Sequence, residues 1–220
     1  MKRPLLLDLY CGAGGASMGY YQAGFDVIGV DINPQPHYPF KFRRGNALDA
    51  WRLMRGRNIA AVHASPPCQI HSQSTQSQRR NGYVYEELIY RTRDMLADFG
   101  IPYVIENVPG APVRPDYVLC GCNFGLNLRR KRWFETNWNT EQVTIPCDHS
   151  GGPVVAVCGH GSPARVREAL GYTPNTRHYR AAMGIGWMNR DELSLAIPPA
   201  YTKFIGTHLI SRIEHGNKAA

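Results

Sequence analysis

The sequence predicts an α/β fold built on a doubly wound, mostly parallel sheet. Short apolar runs alternate with helical patterns through the first half of the chain, as they do in βαβ units. A glycine-rich turn, Cys11-Gly12-Ala13-Gly14-Gly15, follows the first run, and Asp31 ends the second run 19 positions after Gly12. That spacing is typical of nucleotide-binding units, in which the acid binds a ribose. The alternative is an ordinary glycine turn with an unrelated strand-end Asp; with both parts present, a nucleoside-containing cofactor is favoured.

Composition and charge narrow the class of protein. The 220 residues are 43% hydrophobic and 19% charged, which is typical of one globular domain with a full core. Lys and Arg number 25 against 17 Asp and Glu, and the net charge of +8 favours polyanionic partners. No apolar run is long enough to cross a bilayer, and Asp8 interrupts the basic, apolar start, so neither a membrane span nor a signal peptide is predicted. The six cysteines are therefore predicted to be thiols, and the compartment to be reducing and cytoplasmic. No obligate protein partner is inferred, and we expect a monomer.

The predicted elements follow one another in a regular order. Strands are predicted over 4–9, 25–31, 40–46, 59–64 and 103–105, and helices over 17–23, 51–54 and 84–99. Gly100 and Pro102 end the last of these helices. Farther on, a strand and turn are predicted over 118–126, a strand over 133–136, and helices over 183–187, 191–196 and 202–213.

Side chains that carry chemistry follow the ends of these strands. If the first and fourth strands are neighbours and the fifth lies beside the fourth, three adjacent carboxyl ends carry the glycine turn, Cys68 and Glu106. Ligands of doubly wound sheets bind outside such ends. The three features are therefore predicted to converge on one site.

Cys68 stands where the fourth strand stops at two prolines, in Ala64-Ser65-Pro66-Pro67-Cys68-Gln69. The polar run from Gln69 to Arg80 that follows is predicted to be a loop. A thiol that a rigid turn places at the rim of a scaffold suits a nucleophile. The alternative is a small packing residue, because free cysteine is among the most buried residue types. Taken alone, Cys68 leaves both open, and its predicted neighbours favour the nucleophile.

Five short motifs occur in a fixed order along the chain. They are Asp8-Leu9-Tyr10-Cys11-Gly12-Ala13-Gly14-Gly15, Pro67-Cys68-Gln69, Glu106-Asn107-Val108, Arg130-Lys131-Arg132 and Ala196-Ile197-Pro198-Pro199-Ala200-Tyr201. Together they resemble the motifs of the cytosine-specific, carbon-5 DNA methyltransferase family. The resemblance covers most of the chain, and it implies the Rossmann-like fold of the class I S-adenosylmethionine-dependent methyltransferases.

The resemblance also implies a reaction on double-stranded DNA. Cys68 would add to carbon 6 of cytosine, because carbon 5 is a poor nucleophile until the ring becomes an enamine. Nearby arginines would lower the pKa of the Cys68 thiol, and burial would raise the pKa of Glu106 so that it donates to ring nitrogen 3. The base must be flipped out of the duplex, and the loop over 70–82 is the predicted closing element.

The residues implied for the site form two sets. The catalytic set is Cys68, Glu106, Arg130 and Arg132. The S-adenosyl-L-methionine set is Asp8, Tyr10, Cys11, Gly12, Ala13, Gly14, Gly15, Asp31, Ile32, Asn46, Asp49, Pro66 and Ala200.

Two positions depart from the family pattern, and one region is short. Leu128 stands where a glutamine usually precedes the Arg-x-Arg pair, and Ser194-Leu195 stands where Gly-Asn usually precedes the closing Pro-Pro. Residues 139–176 are predicted to be a small, irregular target-recognition insertion in a catalytic and cofactor-binding domain of residues 1–138 plus 177–220. Because the family usually carries a larger domain there, a short or degenerate DNA sequence preference is expected.

The insertion contains two Cys-x-His pairs, Cys147-Asp148-His149 and Cys158-Gly159-His160. Cys147, His149, Cys158 and His160 could hold a tetrahedral zinc ion that staples a segment too small for its own core. The spacing is not that of a standard zinc finger, so unrelated loop residues are favoured and no metal is predicted. Cys120 and Cys122 are interpreted as part of a structural strand and turn.

Three other functions remain open at this point. The same reaction on RNA is one, since the chemistry does not distinguish the two sugars. A nucleic-acid-binding relative with weak catalysis is another. A nicotinamide oxidoreductase would share the glycine turn, but it leaves Cys68, Glu106 and the excess of basic residues unexplained.

Overall fold

One eight-stranded sheet organises the protein, and the computed structural model describes residues 2–50, 52, 56–68, 80–81, 86–138, 143–158 and 161–216. The strands are β1 (Leu5–Leu9), β2 (Asp26–Asp31), β3 (Lys41–Arg44), β4 (Ile59–Ala64), β5 (Tyr103–Asn107), β6 (Tyr117–Leu119), β7 (Arg132–Thr136) and β8 (Val143–Thr144). The helices are α1 (Gly15–Ala23), α2 (Ile89–Asp98), α3 (Ala164–Leu170), α4 (Thr176–Met183), α5 (Arg190–Leu195) and α6 (Pro199–Gly216), with 3-10 turns at Ala47–Asp49 and Gly121–Phe124.

The order of the strands is β3-β2-β1-β4-β5-β7-β6-β8. The first five strands are parallel, and the chain leaves β1 toward one edge and then returns to place β4 and β5 on its other side. β7 runs antiparallel to both β5 and β6. The predicted doubly wound, mostly parallel sheet is confirmed, and its switch point lies between β1 and β4.

Both faces of the sheet are covered by apolar side chains, because successive strand residues point to opposite faces. Leu7 and Leu9 belong to one buried cluster, together with side chains of β4, β5 and α2. Leu6 belongs to the other, in which Tyr20 of α1 and Tyr201 of α6 are completely buried. None of the described helices is long and apolar enough to cross a membrane.

The structure differs from the predicted elements in three places. α4 ends at Met183, where the predicted helix over 183–187 was to begin, because Gly184 adopts a left-handed φ of 66° and caps it. Of the predicted helix over 51–54, only residue 52 is described, and it is helical; most of the predicted loop after Cys68 lies outside the described residues. The predicted insertion over 139–176 contains β8, which joins the main sheet by pairing with β6, and the helix α3.

Helix α1 packs on α6 so closely that Gly19 has no space for a side chain. A Cβ on Gly19 would lie 2.2 Å from the carbonyl oxygen of Pro199 and 2.7 Å from the backbone nitrogen of Lys203. Alanine stabilises a helix by about 1 kcal/mol relative to glycine. Overpacking costs about 1–3 kcal/mol, and rigid backbone at these distances puts the cost at the upper end. We therefore expect Gly19→Ala to lower the free energy of unfolding by about 2 kcal/mol, measured by urea denaturation.

Gly45→Ala is the matched control for this substitution. Like Gly19, Gly45 has a φ outside the left-handed region, so alanine is not strained by the backbone there. Unlike at Gly19, a Cβ at Gly45 would meet no atom within 4 Å. Its unfolding free energy should stay within about 0.5 kcal/mol of wild type. Equal losses in the two variants would show that the contact between α1 and α6 does not limit the size of residue 19.

Candidate active site

A cavity of about 500 Å³ opens at the carboxyl ends of β1, β4 and β5. The residues of the two predicted sets that line it are Asp8, Tyr10, Cys11, Gly12, Ala13, Gly15, Asp31, Ile32, Asn46, Pro66, Cys68, Glu106 and Arg132. Those that do not line it are Gly14, Asp49, Arg130 and Ala200. The glycine turn, Cys68 and Glu106 thus lie around one cavity.

A larger groove of about 1680 Å³ lies at the opposite ends of the strands, where β1, β2, β4 and β5 begin. Its charged lining includes Lys2, Arg3, Asp26 and Arg57. Ligands of doubly wound sheets bind at the carboxyl ends of the strands, and the thiol and the buried carboxyl group lie there too. The smaller cavity is therefore the candidate active site.

The loop after β1 gives the cavity an open backbone floor. Gly12 adopts a left-handed φ of 48°, and a Cβ on it would meet no atom within 4 Å. Its N–H donates to Oδ2 of Asp31 at 3.0 Å, and the N–H of Asn33 donates to Oδ1 at 2.9 Å. Each carboxylate oxygen keeps a further lone pair. Asp31 is therefore held at the rim with acceptors left for the hydroxyl groups of a ribose.

Two glycines of the turn are required by packing. A Cβ on Gly14 would lie 2.9 Å from the ring of Tyr38, and one on Gly15 would lie 2.4 Å from the carbonyl oxygen of Ile197. A Cβ on Gly14 would thus point at Tyr38, and Gly14 does not line the cavity; its place in the cofactor set stays a prediction. The contact at Gly15 brings the segment before α6 against the turn.

Two other predicted cofactor residues lie away from the cavity. Ala200 belongs to the first turn of α6 and packs against the buried cluster that contains Tyr20, while Ala196 and Ile197 line the cavity. Asp49 is exposed in the first 3-10 turn, and Asn46, which caps that turn by accepting from the N–H of Leu48, lines the cavity instead.

Asp8 lies under the floor of the cavity with 1% of its surface exposed. Burial is the main reason that the pKa of Asp8 is raised to about 7. A hydrogen bond from the Ser17 hydroxyl lowers this pKa, and the charge of Asp31 raises it. The Ser17 hydroxyl also lies 2.7 Å from that of Tyr38. Asp8 is thus tied to α1 by a buried hydrogen bond.

Two hydrogen bonds fix the turn that carries Cys68. The N–H of Ser65 donates to the carbonyl oxygen of Leu9 at 3.2 Å, and the side-chain amide of Asn107 donates to the carbonyl oxygen of Pro66 at 3.0 Å. Asn107 is itself held, since its Oδ1 accepts from the N–H of Val108. Asn107 therefore positions the turn that bears the thiol, a role the sequence did not reveal.

The pKa of the Cys68 thiol is raised, whereas the sequence led us to expect a lowered pKa. Burial and the nearby charge of Glu106 raise it, and they outweigh Arg132 and Arg130, which lower it. The expectation considered the arginines but not the carboxylate in the same site. Protonation of Glu106 removes that like charge, so the protonation states of the two groups are coupled.

Glu106 stands at the back of the cavity with 4% of its surface exposed. As expected, burial raises its pKa, while Arg132, Arg130 and a hydrogen bond from Ser65 oppose the rise. The Nε of Arg132 lies 3.0 Å from its Oε1, but the geometry does not make a hydrogen bond, and this oxygen has no hydrogen-bond partner among the described residues. A buried oxygen without a partner is costly, so Oε1 is suited to a substrate group.

A chain of buried polar groups leads to Glu106 from behind. The Tyr20 hydroxyl lies 3.0 Å from Nδ1 of His63, and Nε2 of His63 lies 2.8 Å from the Ser65 hydroxyl, which bonds to Glu106. His63 is completely buried, and burial lowers its pKa to about 3, so the ring is neutral. With Ser65 donating to Glu106, Nε2–H donates to Ser65 and Nδ1 accepts from Tyr20. The sequence suggested no role for His63. The available signal was that His63 and Ser65 stand two positions apart at the end of β4, a spacing that puts extended residues on one face.

Replacing His63 tests this chain of hydrogen bonds. His63→Gln should be less stable than wild type by about 1–3 kcal/mol near pH 7.5, because Tyr20 and Ser65 lose a buried partner. The folded protein keeps His63 neutral down to a pKa of about 3, whereas the unfolded chain binds the proton below about 6.5. As the pH falls below 6.5, the free energy of unfolding of wild type thus decreases by about 1.4 kcal/mol per pH unit because of His63. The variant has no His63 and does not show this decrease.

The stability difference between the two proteins should therefore shrink from about pH 7 to about pH 5, as measured by urea denaturation at several pH values. Asp8 titrates in both proteins, so its contribution cancels. A difference that does not change with pH would show that His63 is not held in the neutral form.

The two arginines of the Arg-x-Arg motif have different surroundings. Arg132 lines the cavity beside Glu106. The guanidinium of Arg130 donates instead to the carbonyl oxygen of Ser194 at 2.6 Å, and the Tyr201 hydroxyl donates to the Arg130 carbonyl oxygen at 2.7 Å. Arg130 therefore joins the loop before β7 to the segment before α6. It does not line the cavity, but its charge lowers the pKa of both Cys68 and Glu106, so its catalytic place stays a prediction.

The two departures from the family pattern also have structural partners. Leu128 is 2% exposed and packs with Tyr179 and Met183 of α4, so it serves the core. Ser194 supplies the carbonyl oxygen that Arg130 binds, and Leu195 lines the cavity although most of its surface is exposed.

The cysteines group differently from the pairs seen in the sequence. Cys147 and His149 lie beside Cys120 and Cys122, and Cys158 is not part of this group. His160 lies outside the described residues. The sequence could not show this grouping, because it depends on where β8 pairs with β6.

Comparison with known proteins identifies relatives by sequence. No protein-family model matches the chain. The type II methyltransferase M.XorII of Xanthomonas oryzae pv. oryzae is 57% identical over 84 residues, which is 31% of this chain and 20% of that protein, so the match spans about a fifth of that relative. The ubiquinone biosynthesis O-methyltransferase of Leptothrix cholodnii is 26% identical over 178 residues, 69% of this chain and 76% of that protein.

Solved structures match over nearly the whole chain. The Entamoeba histolytica methyltransferase EhMeth has a TM-score of 0.62 and 13% identity, and the match covers 97% of this chain and 99% of that one. The S. pombe Dnmt2 methyltransferase has a TM-score of 0.61 and 14% identity, with 96% and 99% covered. A candidate DNA modification methyltransferase encoded within a prophage of E. coli has a TM-score of 0.61 and 12% identity, with 94% and 99% covered. The resemblance drawn from the motifs is thus confirmed at the level of the fold: this chain has the α/β fold of the class I S-adenosylmethionine-dependent methyltransferases, the fold of these solved methyltransferase structures.

Proposed function

We propose that this protein is an S-adenosylmethionine-dependent methyltransferase that methylates carbon 5 of cytosine in double-stranded DNA. One observation carries the proposal: Cys68, Glu106 and the open backbone of Gly12 line the same cavity, and the buried Oε1 of Glu106 accepts no hydrogen bond from the described residues. A flipped cytosine needs a thiol on one side and a hydrogen-bond donor at ring nitrogen 3, and these two groups can supply both.

The residues around Gly12 fit a nucleoside-containing cofactor. The backbone of Gly12 leaves open space where a side chain would stand, and Asp31 keeps free acceptors at the rim. Asn46, Pro66 and Ile197 complete the lining on the other sides. S-adenosyl-L-methionine, when bound, supplies a methyl group on a positively charged sulfur. The loop around Gly12, together with Asp31 and Asn46, would hold it.

The chain's own groups would carry the proton and the covalent bond. Cys68 forms a bond from Sγ to carbon 6 of the base, and Glu106 donates a proton to ring nitrogen 3 as the ring gains electron density. The electron pair at carbon 5 takes up the methyl group of S-adenosyl-L-methionine, which leaves as the neutral thioether. Loss of the carbon-5 proton to a base and return of the nitrogen-3 proton to Glu106 then expel Cys68 as the thiolate and restore the aromatic ring.

The raised pKa values of Glu106 and Cys68 suit this sequence of steps. A buried Glu106 that holds its proton can donate at nitrogen 3, and in that form it no longer opposes the Cys68 thiolate. Arg132 lies beside both groups and stabilises the thiolate and the negative charge on the ring.

Nucleic acid as the substrate is supported by charge and by likeness. The chain carries a net charge of +8, and a prophage-encoded relative in fold is a candidate DNA modification methyltransferase. We propose residues 139–176 as the target-recognition region within a catalytic domain of residues 1–138 plus 177–220. The loop proposed to close on the flipped base, over 70–82, lies almost wholly outside the described residues.

The experiment is methyl transfer from isotopically labelled S-adenosyl-L-methionine to double-stranded DNA and to RNA of the same sequence. We expect label in DNA, recovered as 5-methylcytosine after hydrolysis, and none in RNA. Label in RNA alone would replace the DNA proposal with an RNA cytosine methyltransferase. Binding of DNA without label would favour a nucleic-acid-binding relative that lacks efficient catalysis.

A further inference from the structure

Four metal-binding side chains meet where the recognition region joins the sheet. They are Cys120 and Cys122, around the start of the second 3-10 turn, and Cys147 and His149, which follow β8. Their ligand atoms all lie within 4.8 Å of one another. All six cysteines of the chain are free thiols. Three thiols and one imidazole are a ligand set that structural zinc sites use.

The distances in the group are close to those of a tetrahedral zinc site. Zinc binds sulfur at about 2.3 Å and imidazole nitrogen at about 2.0–2.1 Å, so a tetrahedron separates two sulfurs by about 3.8 Å and a sulfur from a nitrogen by about 3.6 Å. Sγ of Cys120 lies 3.5 Å from Nε2 of His149. The other pairs need to approach by about 1 Å at most, since none exceeds 4.8 Å.

The backbone around the four ligands is already held together by one side chain. Asn123 accepts from the N–H of Cys120 at 2.7 Å and donates to the carbonyl oxygens of Ile145 at 3.3 Å and Pro146 at 3.1 Å. It thus bonds to both segments that carry ligands. β8 pairs with β6 immediately before these residues, so the two Cys-containing pairs are brought together by the sheet itself.

Charge around the group also suits three bound thiolates. A zinc ion with three thiolates and a neutral imidazole carries a net charge of −1, which a nearby cation offsets. The guanidinium of Arg129 donates to the carbonyl oxygen of His149 at 2.7 Å and to that of Gly151 at 3.2 Å. A positive charge is therefore fixed beside the segment that carries the ligands.

We propose that Cys120, Cys122, Cys147 and His149 bind one zinc ion in a structural site. Four protein ligands close the coordination sphere, which is typical of structural and not of catalytic zinc. The site fastens the start of the proposed recognition region to the end of β6 and, through Arg129, to the loop that leads to Arg132. A segment with little core of its own gains its fixed position from the metal. This inference concerns metal content and does not rest on the proposed enzymatic function.

The test is the zinc content of the full-length protein, expressed with added zinc, purified under reductant and measured by inductively coupled plasma mass spectrometry. Wild type should carry about one zinc per chain, and Cys147→Ser and His149→Asn less than about a fifth of that. Both of these ligands are exposed, so their replacement does not open the core. Removal of zinc by a chelator should lower the Tm, and cobalt(II) should give the intense visible bands of a tetrahedral thiolate site.

Cys158→Ser is the matched control, because Cys158 lies in the same region and outside the group. It should keep full zinc content and the same cobalt spectrum. The proposal is overturned if zinc-loaded wild type retains no metal, if Cys147→Ser retains as much as wild type, or if Cys158→Ser loses it. A disulfide between Cys122 and Cys147 in the reduced preparation would also overturn it.

Discussion

Cys68→Ser should abolish methyl transfer while leaving cofactor binding nearly unchanged. A serine hydroxyl has the same shape as the thiol, but it is a far weaker nucleophile toward carbon 6, so kcat should fall by at least about 10⁴-fold. Cys68 stands on the turn after β4, whereas Gly12 and Asp31, which hydrogen-bond to each other, belong to the loop after β1 and to the end of β2. The Kd for S-adenosyl-L-methionine, measured by calorimetry, should stay within about 2-fold of wild type.

A second measurement separates the chemical role of Cys68 from a packing role. DNA that contains 5-fluorocytosine should trap wild type as a covalent complex, because the fluorine cannot leave as a proton does. The complex should be absent with Cys68→Ser and present with Cys158→Ser, whose thiol lies outside the cavity lining. Trapping by the Cys68→Ser variant, or a large loss of cofactor affinity in it, would contradict the assignment.

Glu106→Gln should slow methyl transfer by about 10²–10⁴-fold, with little change in the Kd for DNA. The amide keeps the size of the carboxyl group but cannot transfer a proton to ring nitrogen 3. Wild type needs a protonated Glu106 together with a Cys68 thiolate, so its rate should fall again at high pH as Glu106 loses its proton. The variant has no such proton to lose, and the fall at high pH should disappear from its pH profile.

Glu135→Gln is the control for this substitution. Glu135 is 3% exposed on β7 and accepts from Arg93 at 2.7 Å and 2.8 Å, but it does not line the cavity. Its replacement should reduce stability, because it breaks a buried ion pair, and leave kcat per folded molecule within about 3-fold of wild type. A kcat for Glu106→Gln equal to that of the control would remove Glu106 from the mechanism.

Local pattern was sufficient for most of the elements that position the site. The bounds of β4 agree with the prediction, because apolar alternation and two prolines mark a strand and its end without reference to the rest of the chain. The prediction of a helix over 183–187 was wrong, because the glycine cap at Gly184, not hydrophobic spacing, decides that α4 ends at Met183.

Interactions between distant residues could not be found in the same way. Whether Cys68 has a raised or lowered pKa depends first on its burial and then on the nearby charges, and Glu106 and the arginines come from separate strands and loops. The direction of the Arg130 side chain depends on the carbonyl oxygen of Ser194, 64 positions away. Such contacts leave no periodic signal in the sequence.

The sequence alone determined the doubly wound fold and which residue types follow the ends of its strands: a glycine turn, a thiol and a carboxyl group. Those features depend on local propensity and on the rules of parallel sheets, which are encoded within short segments. Only the tertiary structure decided that Glu106 is buried with an oxygen that accepts no hydrogen bond from the described residues, and that His63 and Ser65 support it. It also decided that Cys120 and Cys122 meet Cys147 and His149. Burial and proximity depend on the packing of whole elements against one another, so they exist only once the chain has folded.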